Sequence, residues 1–145
     1  MKPEALRTPA ENGTGQPARD AAWIARRNAV GLREILAIAE TLQLTQPQLG
    51  TLLGATPRTL QRWRAQADDS GELALSADTV ERMSYLLGIW KALCILFPTA
   101  ANRVLWLRNG NAAPVFNGQA PLARMLAGQV ADLYSVRRYL DGMRG

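Results

Sequence analysis

The stretch Thr56-Pro-Arg-Thr-Leu-Gln-Arg-Trp-Arg64 carries three arginines, two threonines and a glutamine, and no acid lies between Thr45 and Gln66. A guanidinium is a planar fork of donors that matches phosphate oxygens and the guanine edge, and a carboxamide matches the adenine edge in the same bidentate way. If Leu60 and Trp63 point inward from a helix, Arg58, Thr59, Gln61 and Arg62 point outward, with Arg64 toward the far edge. Gln48 and Thr56, with Thr45, are then placed to hold phosphates. Two readings of this face stand side by side: one that contacts nucleic acid, and an ordinary solvated basic face.

Composition narrows the remaining chemistry. The 145 residues hold 17 Lys and Arg against 12 Asp and Glu, a net charge of +5, and only Lys2 and Lys91 are lysine. Such arginine richness favours phosphate and carboxylate partners. The single cysteine, Cys94, cannot form an internal disulfide, which points to a reducing cytoplasm, and its apolar neighbours mark it as a small buried hydrophobe. No histidine is present, which excludes His-based acid–base catalysis and the usual zinc-ligand sets. There is no glycine-rich phosphate loop, and the paired Asp68 and Asp69 read as part of a flexible acidic link. The expectation is a chain with no catalytic residue, metal site or cofactor. The first residues lack the apolar core of a signal peptide, and the strongest apolar run, 83–97, is interrupted by Lys91. That run is shorter than the roughly 20 residues of a membrane span, so it reads as a buried helix with no membrane role.

The elements that must position these residues are all helical. Residues 1–18, rich in proline and poor in large apolar side chains, read as a disordered tail. From Asp20 as N-cap, Trp23, Ile24, Leu32, Ile35, Leu36, Ala39 and Leu42 recur at helical steps, with Gly31 as a place for a jog and an end near Leu44. Helices over 46–53 and 57–66 follow, capped by Thr45 and Thr56. The next begins at an Asp78-Thr-Val-Glu81 cap and stops before Pro98. Helices over 100–108, from Pro121 to Gly128, and to the chain end complete the pattern. In the last, Val130, Leu133, Val136 or Arg137, Leu140 and Met143 share a stripe, and Trp90 and Trp106 read as core. No segment alternates as a strand.

With Gln46 as first position, Gly50 is fifth and Gly54 ninth, while Leu49, Leu53, Leu60 and Trp63 fall at the fourth, eighth, fifteenth and eighteenth. A small residue where two helices cross, a left-handed turn and inward apolar residues are the needs of a helix-turn-helix. The window resembles the Cro and repressor type, which implies a second helix lying in the major groove. The division expected is a DNA-binding domain over 19–78 and a second helical domain over 79–145.

In that second domain, Asn102-Arg-Val-Leu-Trp-Leu-Arg-Asn109, Phe116-Asn-Gly-Gln-Ala-Pro-Leu122 and Val136-Arg-Arg-Tyr-Leu-Asp-Gly-Met-Arg-Gly145 follow in an order similar to the C-terminal domain of the MbcA/ParS/Xre antitoxins. The turn reads Phe-Asn-Gly where the family more often has a double glycine, and Asn111-Ala-Ala-Pro-Val115 is a slightly long lead-in. The resemblance implies an all-α antitoxin of a type II toxin-antitoxin pair whose partner is a RES-domain toxin that consumes NAD+. It implies neutralisation by the C-terminal end at the toxin's active-site entrance, and autorepression at operator DNA through the N-terminal domain. The residues placed at the toxin are Tyr139, Leu140, Met143, Arg144 and Gly145. Packing of Leu140 and Met143 against the helix from Pro121 is the competing role, and Tyr134 fits core or surface. A homodimer is expected from the half-site geometry, with a larger hetero-oligomer on toxin binding. The second reading of the chain is a stand-alone dimeric regulator. The helix through 83–97 has apolar residues on more than one side, which fits a dimer seam, a toxin-facing surface or a central core position.

Overall fold

The computed structural model describes residues 16–145. Among them are seven α-helices and no strand: α1 Gln16–Thr41, α2 Gln46–Leu53, α3 Pro57–Ser70, α4 Ala77–Leu96, α5 Ala100–Arg108, α6 Pro121–Met125 and α7 Val130–Arg144. Of the tail expected over residues 1–18, residues 1–15 lie outside the described residues, and residues 16–18 are instead helical, because α1 begins at Gln16, ahead of the expected Asp20 cap.

Helix α1 runs unbroken through Gly31. It buries Ala29, Leu32, Ile35 and Ala39, the three- and four-residue steps of one face. It ends on Gln43, whose φ of 58° places a non-glycine residue in the left-handed region. Arg108, from the far end of α5, stabilises that turn by donating to the carbonyls of Leu42 at 3.1 Å and Gln43 at 2.8 Å. Trp23 and Ile24, counted on the apolar stripe, are exposed at 55% and 49%. At this level α1 packs through Ala25 and Asn28 on the segment before α4: Leu73 N–H donates to the Ala25 carbonyl at 2.9 Å, and the Asn28 amide donates to the Leu73 carbonyl at 2.9 Å.

Helix α2 has the bounds the capping pattern predicts, but α3 continues to Ser70. Asp68 and Asp69 therefore stand on its last turn, not in a flexible link. Carboxylates there oppose the helix dipole. Arg33 offsets them, donating to the Ala67 carbonyl at 2.6 Å with its Nε 3.7 Å from Asp68. Gly71, at φ 66°, ends the helix, and Ser76 caps α4 by accepting from Thr79 N–H. Asp78, expected as the cap, sits in the first turn and pairs with Arg82 at 2.9 Å.

Helix α4 is the centre of the molecule. It buries Met83, Leu86, Ile89, Ala92 and Leu93, with α7 as its principal neighbour and α1 and α2 against its other sides. Buried residues from both halves form one cluster, from Leu32 and Leu60 to Leu107 and Leu140. Arg82 is buried where the halves meet. Its guanidinium donates to Asp78 at 2.9 Å, to the Thr51 carbonyl in the last turn of α2 at 3.5 Å, and to the Gly128 carbonyl before α7 at 3.0 Å. Gly54 rests on it: a Cβ there would stand 3.3 Å from Arg82 Nε.

Between α5 and α6 the chain reverses through Asn117 at φ 50° and Gly118 at φ 82°. Asparagine is the non-glycine residue that best tolerates this region, so Phe-Asn-Gly makes the turn without a second glycine. Asn111 and Gly118–Gln119 close the loop by exchanging backbone hydrogen bonds of 2.9 and 3.0 Å.

Removing Arg82 takes the side-chain donor from the Gly128 carbonyl and one of two donors from the Thr51 carbonyl, which also accepts from Gly54 N–H at 3.3 Å, and leaves Asp78 without its partner. Arg82→Ala is expected to lower unfolding free energy by about 2–4 kcal/mol. Asp78→Asn, which alters a half-exposed partner, should cost less than about 1 kcal/mol. Urea titration followed by circular dichroism checks both, and equal small effects would remove Arg82 from this role.

Candidate functional site

The first candidate surface is built by two capped helix starts and a tight turn. Thr45 and Gln48 form a reciprocal capping box: Thr45 Oγ1 accepts from Gln48 N–H at 3.2 Å, and Gln48 Oε1 accepts from Thr45 N–H at 2.9 Å. Gly54, at φ 69°, turns the chain, and Ala55 N–H donates to the Gly50 carbonyl at 2.8 Å. The approach is so close that a Cβ on Gly50 would collide with the Ala55 carbonyl oxygen. Thr56 then caps α3, accepting from Thr59 N–H at 3.1 Å and donating to Thr59 Oγ1 at 3.1 Å.

Inward, Leu49, Leu53 and Leu60 are buried and Trp63 is half-buried against the core. Outward, Arg58, Gln61, Arg62 and Arg64 are exposed. Among the described residues, none of these four makes a hydrogen bond or ion pair through its side chain. The seven sequence-predicted residues are not equivalent. Gln48 has its carbonyl oxygen engaged and its amide N–H groups free to donate. Thr56 is committed to capping, while the hydroxyl proton of Thr59 has no partner within the cap. The free guanidiniums contrast with Arg33, Arg103 and Arg108, each donating to carbonyls at a helix end.

The second surface is the C-terminal end. Leu133, Val136 and Leu140 bury one face of α7 against α4. The helices cross closely at Gly88, where a Cβ would fall 2.5 Å from Arg137 Nε. The start of α7 is fixed by Asp132, which accepts from Gln129 N–H at 3.1 Å and from Arg124 at 2.7 Å, while Arg124 also donates to the Val115 carbonyl. Tyr139 is half-buried, stacked on Trp106 with centroids 6.3 Å apart and edge-on to Phe116 at 5.1 Å.

Of the residues expected at a partner surface, Leu140 is fully buried and offers no side-chain contact; it anchors the helix. Met143 is exposed at 45%, and Arg144 and Gly145 are exposed. Met143 and Tyr139 line an open groove of about 600 Å³ with Tyr134, Arg138 and Val115. Tyr134 and Arg138 were not among the expected contacts. Their four-residue spacing brings Arg138 Nη1 to donate to the Tyr134 hydroxyl at 3.3 Å. Behind them Tyr85 meets the Tyr134 ring edge-on at 5.8 Å. Its hydroxyl donates to Glu81, and that bond to a carboxylate raises the Tyr85 phenol above its ordinary pKa. Cys94 is half-buried. No cluster of His, Cys, Asp and Glu suited to a metal ion occurs among the described residues, and no single helix there is long and apolar enough to cross a membrane.

Comparison with known proteins assigns the two surfaces to two units. Residues 25–88 match the antitoxin Xre-like helix-turn-helix domain, and residues 92–145 match the antitoxin Xre/MbcA/ParS C-terminal toxin-binding domain. The matches meet inside α4. The uncharacterized protein y4oB of Sinorhizobium fredii (strain NBRC 101917 / NGR234) is 42% identical, in a match covering 61% of this chain and 80% of that protein. With a helix-turn-helix at one end of α4 and a toxin-binding unit built on the other, the chain belongs to the Xre/MbcA/ParS family of antitoxins.

Proposed function

We propose that this antitoxin neutralises a RES-domain toxin that degrades NAD+, by occluding the toxin's active site with the end of α7, and that it represses its own operon through α3 as a homodimer. The observation that carries this reading is the pairing, on one core, of a face of free guanidiniums and an open aromatic groove. Arg58, Arg62 and Arg64 are free guanidiniums on one helix, and Tyr134, Tyr139, Arg138 and Met143 form an aromatic and thioether groove at the end of another. The first set suits phosphates and base edges; the second has the composition of interface anchors. A stand-alone regulator leaves the groove and the exposed chain end without a role. The RES identity of the toxin follows from the family resemblance of the C-terminal motifs, not from the groove's shape. No step of NAD+ chemistry falls to this chain in the proposal.

Two outcomes test the halves separately. Arg58→Ala and Arg62→Ala are each expected to weaken operator binding by about 1–3 kcal/mol in a gel-shift titration, with helical content unchanged. Wild-type affinity in both would remove them from base reading. Because Leu140 is part of the core, truncation must spare it: a chain ending at Asp141 should fold and bind operator, yet fail to stop NAD+ consumption by the cognate toxin. Full inhibition by the shortened chain would contradict occlusion by residues 142–145.

A further inference from the structure

A trough runs between α1 and α4, away from the outward face of α3 and from the α7 groove. It consists of two adjoining depressions of about 490 and 410 Å³ that share Glu34 and Leu87. On α1 its wall is Ile24, Arg27, Gly31, Glu34 and Ile38, a three- and four-residue stripe; on α4 it is Val80, Ser84 and Leu87. Ile24, Val30 and Val80 along it are exposed at 49%, 52% and 39%, apolar area that the described residues leave in water at a cost. None of these residues belongs to the DNA-facing or toxin-facing sets.

The charges on the α1 stripe identify the occupant. Arg27 and Glu34 are two helical turns apart, on either side of Val30 and Gly31. Within the described residues Glu34 makes no ion pair, and Arg27 lies only over the Trp23 ring at 5.4 Å. A surface with opposite charges placed symmetrically about an apolar centre is its own complement under a two-fold axis. Gly31, at that centre, faces α4 of its own chain, where a Cβ would stand 3.0 Å from Met83 Cε, and Val30 is the apolar residue exposed beside it. We propose that the trough is the seam of a homodimer, in which α1 of one copy crosses α1 of its partner antiparallel at Val30–Gly31 and Arg27 of each pairs with Glu34 of the other. This rests on the dimeric operator reading above and locates the second copy that reading requires.

Sedimentation velocity of the full chain tests it. Wild type is expected to sediment as a dimer, and Val30→Asp and Val80→Glu as monomers with unchanged circular dichroism. Val80→Glu places an acid in the first turn of α4, where the helix dipole tolerates it, so it remains informative if Val30→Asp perturbs folding. Arg27→Glu and Glu34→Arg should each weaken dimerisation by about tenfold or more, and the double reversal should restore it. Ile95→Asp and Leu105→Asp, exposed elsewhere, should remain dimers. A monomeric wild type at micromolar concentration overturns the proposal. So does a dimer split by the Ile95 or Leu105 change and untouched by the trough variants. A chain that dimerises only after deletion of residues 1–15 assigns the trough to that segment and overturns it as well. Toxin inhibition by Val80→Glu is read in parallel: loss of the dimer with inhibition retained supports the seam, and its operator affinity reports separately on whether DNA reading needs two copies.

Discussion

One helix has to be covered on several sides at once. The apolar residues of α4 extend beyond a single stripe, so α1 and α2 take part of its surface and α7 takes the rest. An element with that much apolar surface is stable only when buried. The DNA-facing and toxin-facing units consequently share it instead of being joined by a linker. Arg82 makes the joint specific. A buried guanidinium needs its donors satisfied, and the acceptors it finds are Asp78 on its own helix, the end of α2 and the loop before α7. The turn that sets the angle of α3 therefore rests on the same side chain that fixes the approach to α7.

The arginine excess divides in a way that charge counting does not reveal. Arg33, Arg103, Arg108 and Arg124 donate to main-chain carbonyls, at the ends of α3, α4 and α1 and at Val115. The first three add donors where helix C-termini present more carbonyls than N–H groups, at Ala67 beside the N–H of Gly71. Arg58, Arg62 and Arg64 have no such employment. Position relative to carbonyls and carboxylates thus separates arginines that are engaged within the fold from those that are free among the described residues.

The helix-turn-helix was legible because its determinants are local. Thr45, Gly50, Gly54, Thr56 and Pro57 each act within a few residues, and α2 has the bounds their pattern predicts. The family motifs likewise located the toxin-binding unit. What sequence periodicity could not supply was the identity of neighbours. Helix α3 extends to Ser70 with Asp68 standing 3.7 Å from Arg33, a partner from another helix that local spacing does not show. The choice of Ser76 over Asp78 as cap follows from Asp78 being drawn to Arg82. Helical spacing put Trp23 and Ile24 on a stripe with Leu32 but did not say that both would be exposed among the described residues. In α7 the same spacing grouped Leu140 with Met143; one is buried in the core and the other is exposed on the rim of the groove. Arg82, the joint itself, carries no local signal: a mid-helix arginine looks like surface until the loop before α7 is in place.

If one core presents an operator-facing helix and a toxin-facing α7 end together, DNA and toxin should both be held by the same complex. Purification of the tagged chain expressed from its native operon tests this most directly, with the eluate assayed for companion protein, operator retention and NAD+ consumption after dissociation. The expected result is a companion encoded beside the chain, held in a complex that binds operator DNA and shows NAD+-degrading activity only once separated. Recovery of a lone homodimer on operator DNA, with no companion, would contradict it.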